Sequence, residues 1–118
     1  MRKKEIKESM RVKFLEGKVV YIAGAVSNRN IKEVVMDFII VEDLLKKHGV
    51  RKVLNPLSNG LPLSASWEDH MKEDIRLLTR ADYVFMLEGW ETSRGAKIEH
   101  RLAKELGLEI IYLNKDKQ

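Results

Sequence analysis

Four short apolar runs, separated by longer amphipathic stretches, organise the chain. Residues 18–23 are a β-branched run that stops at Gly24. Residues 50–54 stop at Asn55-Pro56, and two further runs cover 83–87 and 109–113. Each run is continuous and does not alternate, as expected of strands covered on both faces. Between them lie three helical patterns: 31–48, with Gly49 as its stop; Trp67 to about Arg80, behind Ser66 as cap; and 93–106, stopped by Gly107. Ser27-Asn28-Arg29-Asn30 supplies turn and cap residues before the first of these, and residues 56–66 form a loop. A short polar helix is expected over 3–14. The order β-α-β-α-β-α-β predicts an α/β fold: a flavodoxin/Rossmann-like three-layer sandwich with a mainly parallel sheet of four to five strands. With 118 residues there is room for one core. A basic segment at 1–17 precedes a domain at 18–118.

The helix over 31–48 carries two apolar stripes. Ile31, Val34, Val35, Phe38, Val41 and Leu45 form one; Met36, Ile39, Ile40 and Leu44 form the other. A surface helix buries one face, so the second stripe predicts contact with another subunit, most simply in a homodimer.

Composition narrows the class. No run is long and apolar enough to span a membrane, and the charged N-terminus has no apolar stretch behind it, which argues against secretion. The absence of cysteine excludes disulfides and thiolate chemistry, and a cytoplasmic location is expected. Residues 1–13 hold six basic side chains against Glu5 and Glu8, so the net charge of +4 is concentrated there. No aromatic is interleaved with them, so a solvated end is expected and nucleic acid is not a predicted partner.

The stretch from Gly89 to Glu99 draws attention to chemistry. It reads as a strand end, a turn and the start of a helix, the place where open α/β sheets bind ligands. Ser93, Arg94 and Gly95 would offer free N–H groups to a phosphate or carboxylate, and Gly95 would allow close approach. Glu99 lies one turn on, on the same face as Gly95, Leu102 and Ala103. It is not placed for a capping box, since three residues after Ser93 stands Ala96. Asp74 borders the apolar stripe of Trp67, Met71, Ile75 and Leu78. Asp82, before a strand, reads as marking its start, and Glu88 sits at a strand end. Walker-type and paired-glycine dinucleotide loops are absent, the three histidines lack metal-ligand spacing, and neither Ser27 nor Ser93 sits in a nucleophile elbow. No metal or cofactor is expected.

Taken together, Tyr21-Ile22-Ala23-Gly24, Asp74, Ala81-Asp82 and Ser93-Arg94-Gly95-Ala96-Lys97-Ile98-Glu99 resemble the nucleoside 2-deoxyribosyltransferase superfamily. That superfamily includes the 2′-deoxynucleoside 5′-monophosphate N-glycosidases. A small phage and bacterial branch with Gly-Trp-Glu before the Ser-Arg-Gly turn is the nearest likeness, and the similarity runs from about Lys18 to Leu113. The resemblance implies that Glu99 attacks the anomeric carbon, Tyr21 positions it, and Asp74 serves the leaving base or sugar. It further implies a 5′-phosphate at Ser93, with Arg94 beside it. Three positions depart from the pattern. Ala25 stands where many members have proline, Glu88 and Glu91 occupy the region of the transferases' second aspartate, and Asn114 is a candidate for their C-terminal asparagine. These departures weaken the transferase reading more than the hydrolase one.

The chemistry is consistent by itself. Breaking a C1′–N bond builds positive charge on the sugar, which a carboxylate can trap, and a raised-pKa acid can protonate the departing base. Gly24 and Arg29, after the first strand, join the candidate binding residues, as does Trp90, either stacked on a base or packed in the core. The expectation is cleavage of the N-glycosidic bond of a nucleoside 5′-monophosphate, by hydrolysis or base exchange. A non-catalytic nucleotide-binding module on the same fold is the alternative.

Overall fold

The computed structural model describes residues 15–113. The helix expected over 3–14, the basic residues there and Asn114 lie outside the described residues. Strands β1 (Val19–Ala23), β2 (Lys52–Leu54), β3 (Tyr83–Met86) and β4 (Glu109–Tyr112) form one sheet in the order β2-β1-β3-β4, with every pairing parallel. Helices α1 (Ile31–Lys47), α2 (Trp67–Leu78) and α3 (Arg94–Glu105) make the crossovers. Building β2 on one side of β1 and β3 on the other reverses the winding direction. With right-handed crossovers, this places α1 on one face and α2 and α3 on the other. The chain is therefore a three-layer α/β sandwich, with its topological switch point between β1 and β3.

Alternation along the strands divides the core in two. Val20, Ile22, Phe85 and Leu87 join Val34, Phe38, Val41 and Leu45 of α1. Val19, Tyr21, Ala23, Val84 and Met86 join Leu78, Ala96 and Ala103 beneath α2 and α3. Leu15, within the segment assigned to the N-terminus, is fully buried in the α1 layer.

The helix ends follow local chemistry. Asn30 caps α1 by accepting the Lys32 and Glu33 N–H groups, Ser66 caps α2 at Asp69, and Ser93 caps α3 at Ala96. Residues Pro56–Ser58 and Trp90–Thr92, expected as loop and turn, are single 3₁₀ turns. Gly89, at φ +88°, reverses the chain after β3, a backbone that favours glycine. On α1 only Val34, Phe38, Val41 and Leu45 are buried. Ile31 and Val35, expected on the inner stripe, are exposed beside Met36, Ile39 and Ile40, because the buried arc is only as wide as the sheet edge it covers. Asp82 has the structural role: its Oδ2 accepts the Val19 N–H at 2.9 Å, and its own N–H donates to the Val19 carbonyl. Among the described residues, no helix is long and apolar enough to cross a membrane.

Candidate active site

Two hollows flank the switch point, one on each face of the sheet. On the α2/α3 face, a cavity of about 280 Å³ is lined by Gly24, Ser27, Trp67, His70, Met71, Asp74, Ser93, Gly95, Ala96 and Glu99, with apolar side chains of the 56–65 loop closing it. Its volume is at the lower end for small-molecule sites.

Glu99 belongs to the inner face of α3, with Ala96 and Ala103 as its buried neighbours along the helix. Those alanines bring the helix close to the sheet, and Glu99 is left 4% exposed. Tyr21, fully buried in the central strand β1, donates its phenol hydrogen to Glu99 Oε2 at 2.6 Å. Among the described residues, this is the hydrogen bond that Glu99 has; no basic side chain locks it. Burial pushes its pKa up to about 8, the Tyr21 hydrogen bond opposes this, and the nearby Asp74 charge adds to it. Burial, then the charges of Glu99 and Asp74, also hold the Tyr21 phenol well above its ordinary range, so it remains a donor.

Asp74 projects from α2, one turn from the buried Met71 and Leu78. Burial raises it to about 6, against the lowering effect of a hydrogen bond from Asn59. Between about pH 6 and 8 Asp74 is therefore ionised while Glu99 keeps its proton.

Of the other residues singled out from sequence, Gly24, Ser93 and Gly95 line this cavity. The open space at Gly95 is taken up from the side: a Cβ there would lie 3.0 Å from Met71 Sδ. Its lack of a side chain thus serves the contact between α3 and α2. Arg94 is exposed and stacks over Trp67, its guanidinium carbon 4.3 Å from the ring centroid, one side chain removed from the cavity.

Three residues lie elsewhere. Arg29 and Glu88 line the second hollow, about 430 Å³, on the α1 face, with Ala25, Asp37, Ile40, Leu44, Leu87 and Leu113. There Arg29 pairs with Asp37 at 2.8 Å and donates to the Ala25 carbonyl at 3.1 Å. Strand alternation does not govern Glu88, because β3 ends at Met86; Leu87 already faces α1, and the turn at Gly89 leaves Glu88 on the same side. Trp90 is a packing residue at the rim of the α3/β4 core: its ring lies 4.2 Å from that of the half-buried His100 and 6.2 Å from that of the exposed Tyr112.

Sequence reading passed over Asn59, His70, Ser27 and Trp67. Asn59 and His70 act through the 59–62 turn, which no periodicity signals. Ser27 follows β1 in a βα loop, where binding residues are expected, and only the lack of a nucleophile motif set it aside.

The arrangement offers a buried carboxyl oriented by a phenol, a second carboxyl across the same space, and the N-terminus of α3 at its edge. Such a set can bind a polar ring, place an oxygen against an electrophilic carbon and pass a proton. None of the curated proteins matches the chain. The family described as "Domain of unknown function (DUF4406)" matches residues 18–112, from the start of β1 to the end of β4, and the chain belongs to that family.

Proposed function

We propose that the protein cleaves the N-glycosidic bond of a nucleoside 5′-monophosphate, by hydrolysis or by transfer to another base. The observation that carries this reading is the pairing of Glu99, held by Tyr21, with Asp74 in one cavity at the carboxyl ends of the strands. In the reactive form the proton that Glu99 holds in the free protein has moved to Asp74, and Glu99 is the anion. A Glu99 oxygen bonds to C1′ as the C1′–N bond breaks, and the bond's electron pair leaves with the base, which takes the Asp74 proton. Water, deprotonated by Asp74, then splits the glycosyl ester and restores both carboxyls. A second free base attacking in place of water gives exchange. Ser93, Gly95 and Arg94, at the start of α3, support phosphate binding, which would hold the sugar over Glu99.

The test is release of free base, followed by chromatography, from each ribo- and deoxynucleoside monophosphate. Glu99→Gln and Glu99→Ala are expected to reduce release to background, and Asp74→Asn to lower it roughly 10²–10⁴-fold. Ser93→Ala and Arg94→Ala are expected to weaken nucleotides more than nucleosides; equal losses would exclude the phosphate assignment. A non-catalytic nucleotide-binding module is the second reading, favoured by the proton that Glu99 holds at neutral pH in the free protein. A nucleotide-induced rise in melting temperature without base release would establish it. The reading includes a cytoplasmic homodimer that meets through the exposed stripe of α1.

A further inference from the structure

Asp74 is held by a chain of contacts with the turn at 59–62. Asn59 Nδ2 donates to Asp74 Oδ1 at 2.9 Å and lies 3.1 Å from His70 Nδ1. At the other end of its amide, Asn59 Oδ1 accepts the Leu61 N–H at 2.9 Å. His70 Nε2 lies 3.0 Å from the Pro62 carbonyl oxygen.

One assignment of hydrogens satisfies all four contacts. The Pro62 carbonyl only accepts, so His70 Nε2 carries a proton. The Leu61 N–H only donates, so the Asn59 oxygen faces it and the Asn59 NH₂ faces His70 and Asp74. His70 Nδ1 must then be the bare acceptor of a neutral ring. The consequence falls on Asp74. Its Oδ1 meets a group that can only donate, so any proton on this carboxyl sits on Oδ2.

We propose that Asn59 and His70 are positioning residues that orient Asp74, fixing Oδ2 as the oxygen that gives a hydrogen bond or a proton to a ligand in the Glu99 cavity. The identity of that ligand as a nucleotide base rests on the function proposed above; the orientation of the carboxyl does not.

The experiment compares a purine nucleoside 5′-monophosphate with its 7-methyl form, whose cationic base leaves without being protonated. Asn59→Ala and His70→Ala are each expected to slow release of the ordinary base roughly tenfold or more, and Asn59→Ala, which lies outside the cavity wall, to leave the 7-methyl substrate within about threefold of wild type, the spread that measurement and small packing changes produce. The double variant should be no slower than Asn59→Ala, because both act along one chain. His70→Asn, which can place an acceptor near the Nδ1 position, should retain most of the rate. Equal losses on both substrates in Asn59→Ala, or multiplied losses in the double variant, would overturn the proposal and indicate a role in folding alone.

If the wild type releases no base from either nucleotide, the enzymatic reading fails and the positioning is read by carbon-13 NMR of the Asp74 carboxyl. Its titration should then move to higher pH in Asn59→Ala and His70→Ala but not in Thr79→Ala, at the far end of α2. An Asp74 signal unmoved by either substitution would overturn the positioning too.

Discussion

Glu99 is a carboxyl kept away from the water that would stabilise its charge, and that placement has two measurable consequences. The first concerns rate. Because the two carboxyls together carry one proton between about pH 6 and 8, base release should follow a bell-shaped pH profile with limbs near those values. Asp74→Asn should remove one limb. The second consequence concerns stability. The folded protein holds the Glu99 proton up to about pH 8, whereas the unfolded chain releases it near the ordinary 4.5. The fold binds more protons across that interval, so this contribution is fully favourable below about 4.5 and is lost as pH rises through about 8. The slope is about 1.4 kcal/mol per pH unit at most. Glu99→Gln, which keeps the shape and carries no charge, should match the wild type in acid and exceed its melting temperature increasingly toward pH 8. Thermal unfolding of both proteins across that range decides it; a constant difference would mean that Glu99 is ionised in the fold. A variant that is inactive yet more stable is the expected signature of a strained functional group.

At the scale of elements, α1 separates what pattern can reveal from what it cannot. Its bounds follow from its caps and Gly49. The existence of a second apolar stripe was legible too, because Met36, Ile39 and Ile40 cannot share an arc with Phe38 and Leu45. The width of the buried arc was not legible, since it depends on how much sheet lies beneath, and so Ile31 and Val35 are exposed. Met36 and Ile40 are 56% and 54% exposed. Ile40→Glu or Met36→Lys should therefore leave the folded spectrum intact and shift the mass seen by light scattering toward the monomer. A wild-type protein that is monomeric at high concentration would refute the proposed dimer. The same division holds for α3. Its start at Ser93 was read from residue type, and Glu99 on the inner face from spacing. Trp90 was ambiguous because an aromatic in a turn serves a ligand or a core equally well, and only the approach of His100 and Tyr112 decides for the core.

For the molecule as a whole, the parallel α/β sandwich was legible in the continuous apolar runs, whereas the strand order β2-β1-β3-β4 was not, because such runs do not say on which side of β1 the next strand lies. The gathering of Tyr21, Asp74 and Glu99, distant in sequence, follows from the same topology: β1, α2 and α3 meet on one face of the switch point. The network of Asn59 and His70 was hidden because it depends on a turn's backbone path, to which side-chain spacing is blind. Arg29 and Glu88 were misplaced for a related reason: loops following β1 and β3 border both faces, and sequence does not say which.

Little separates the two hollows where β1 and β3 end. Gly24 stands in the wall of one and Leu87 in the wall of the other. A methyl group on Gly24 would come within 3.0 Å of Leu87 Cδ1. Where these two residues meet, the Gly24 backbone lies against Leu87 with no room for a side chain between them. Gly24→Ala should press Leu87 toward α1 and perturb amide NMR signals of Ile40 and Leu44, on the opposite side from the substitution. A guest that swells either chamber would be felt in its neighbour through the same thin septum.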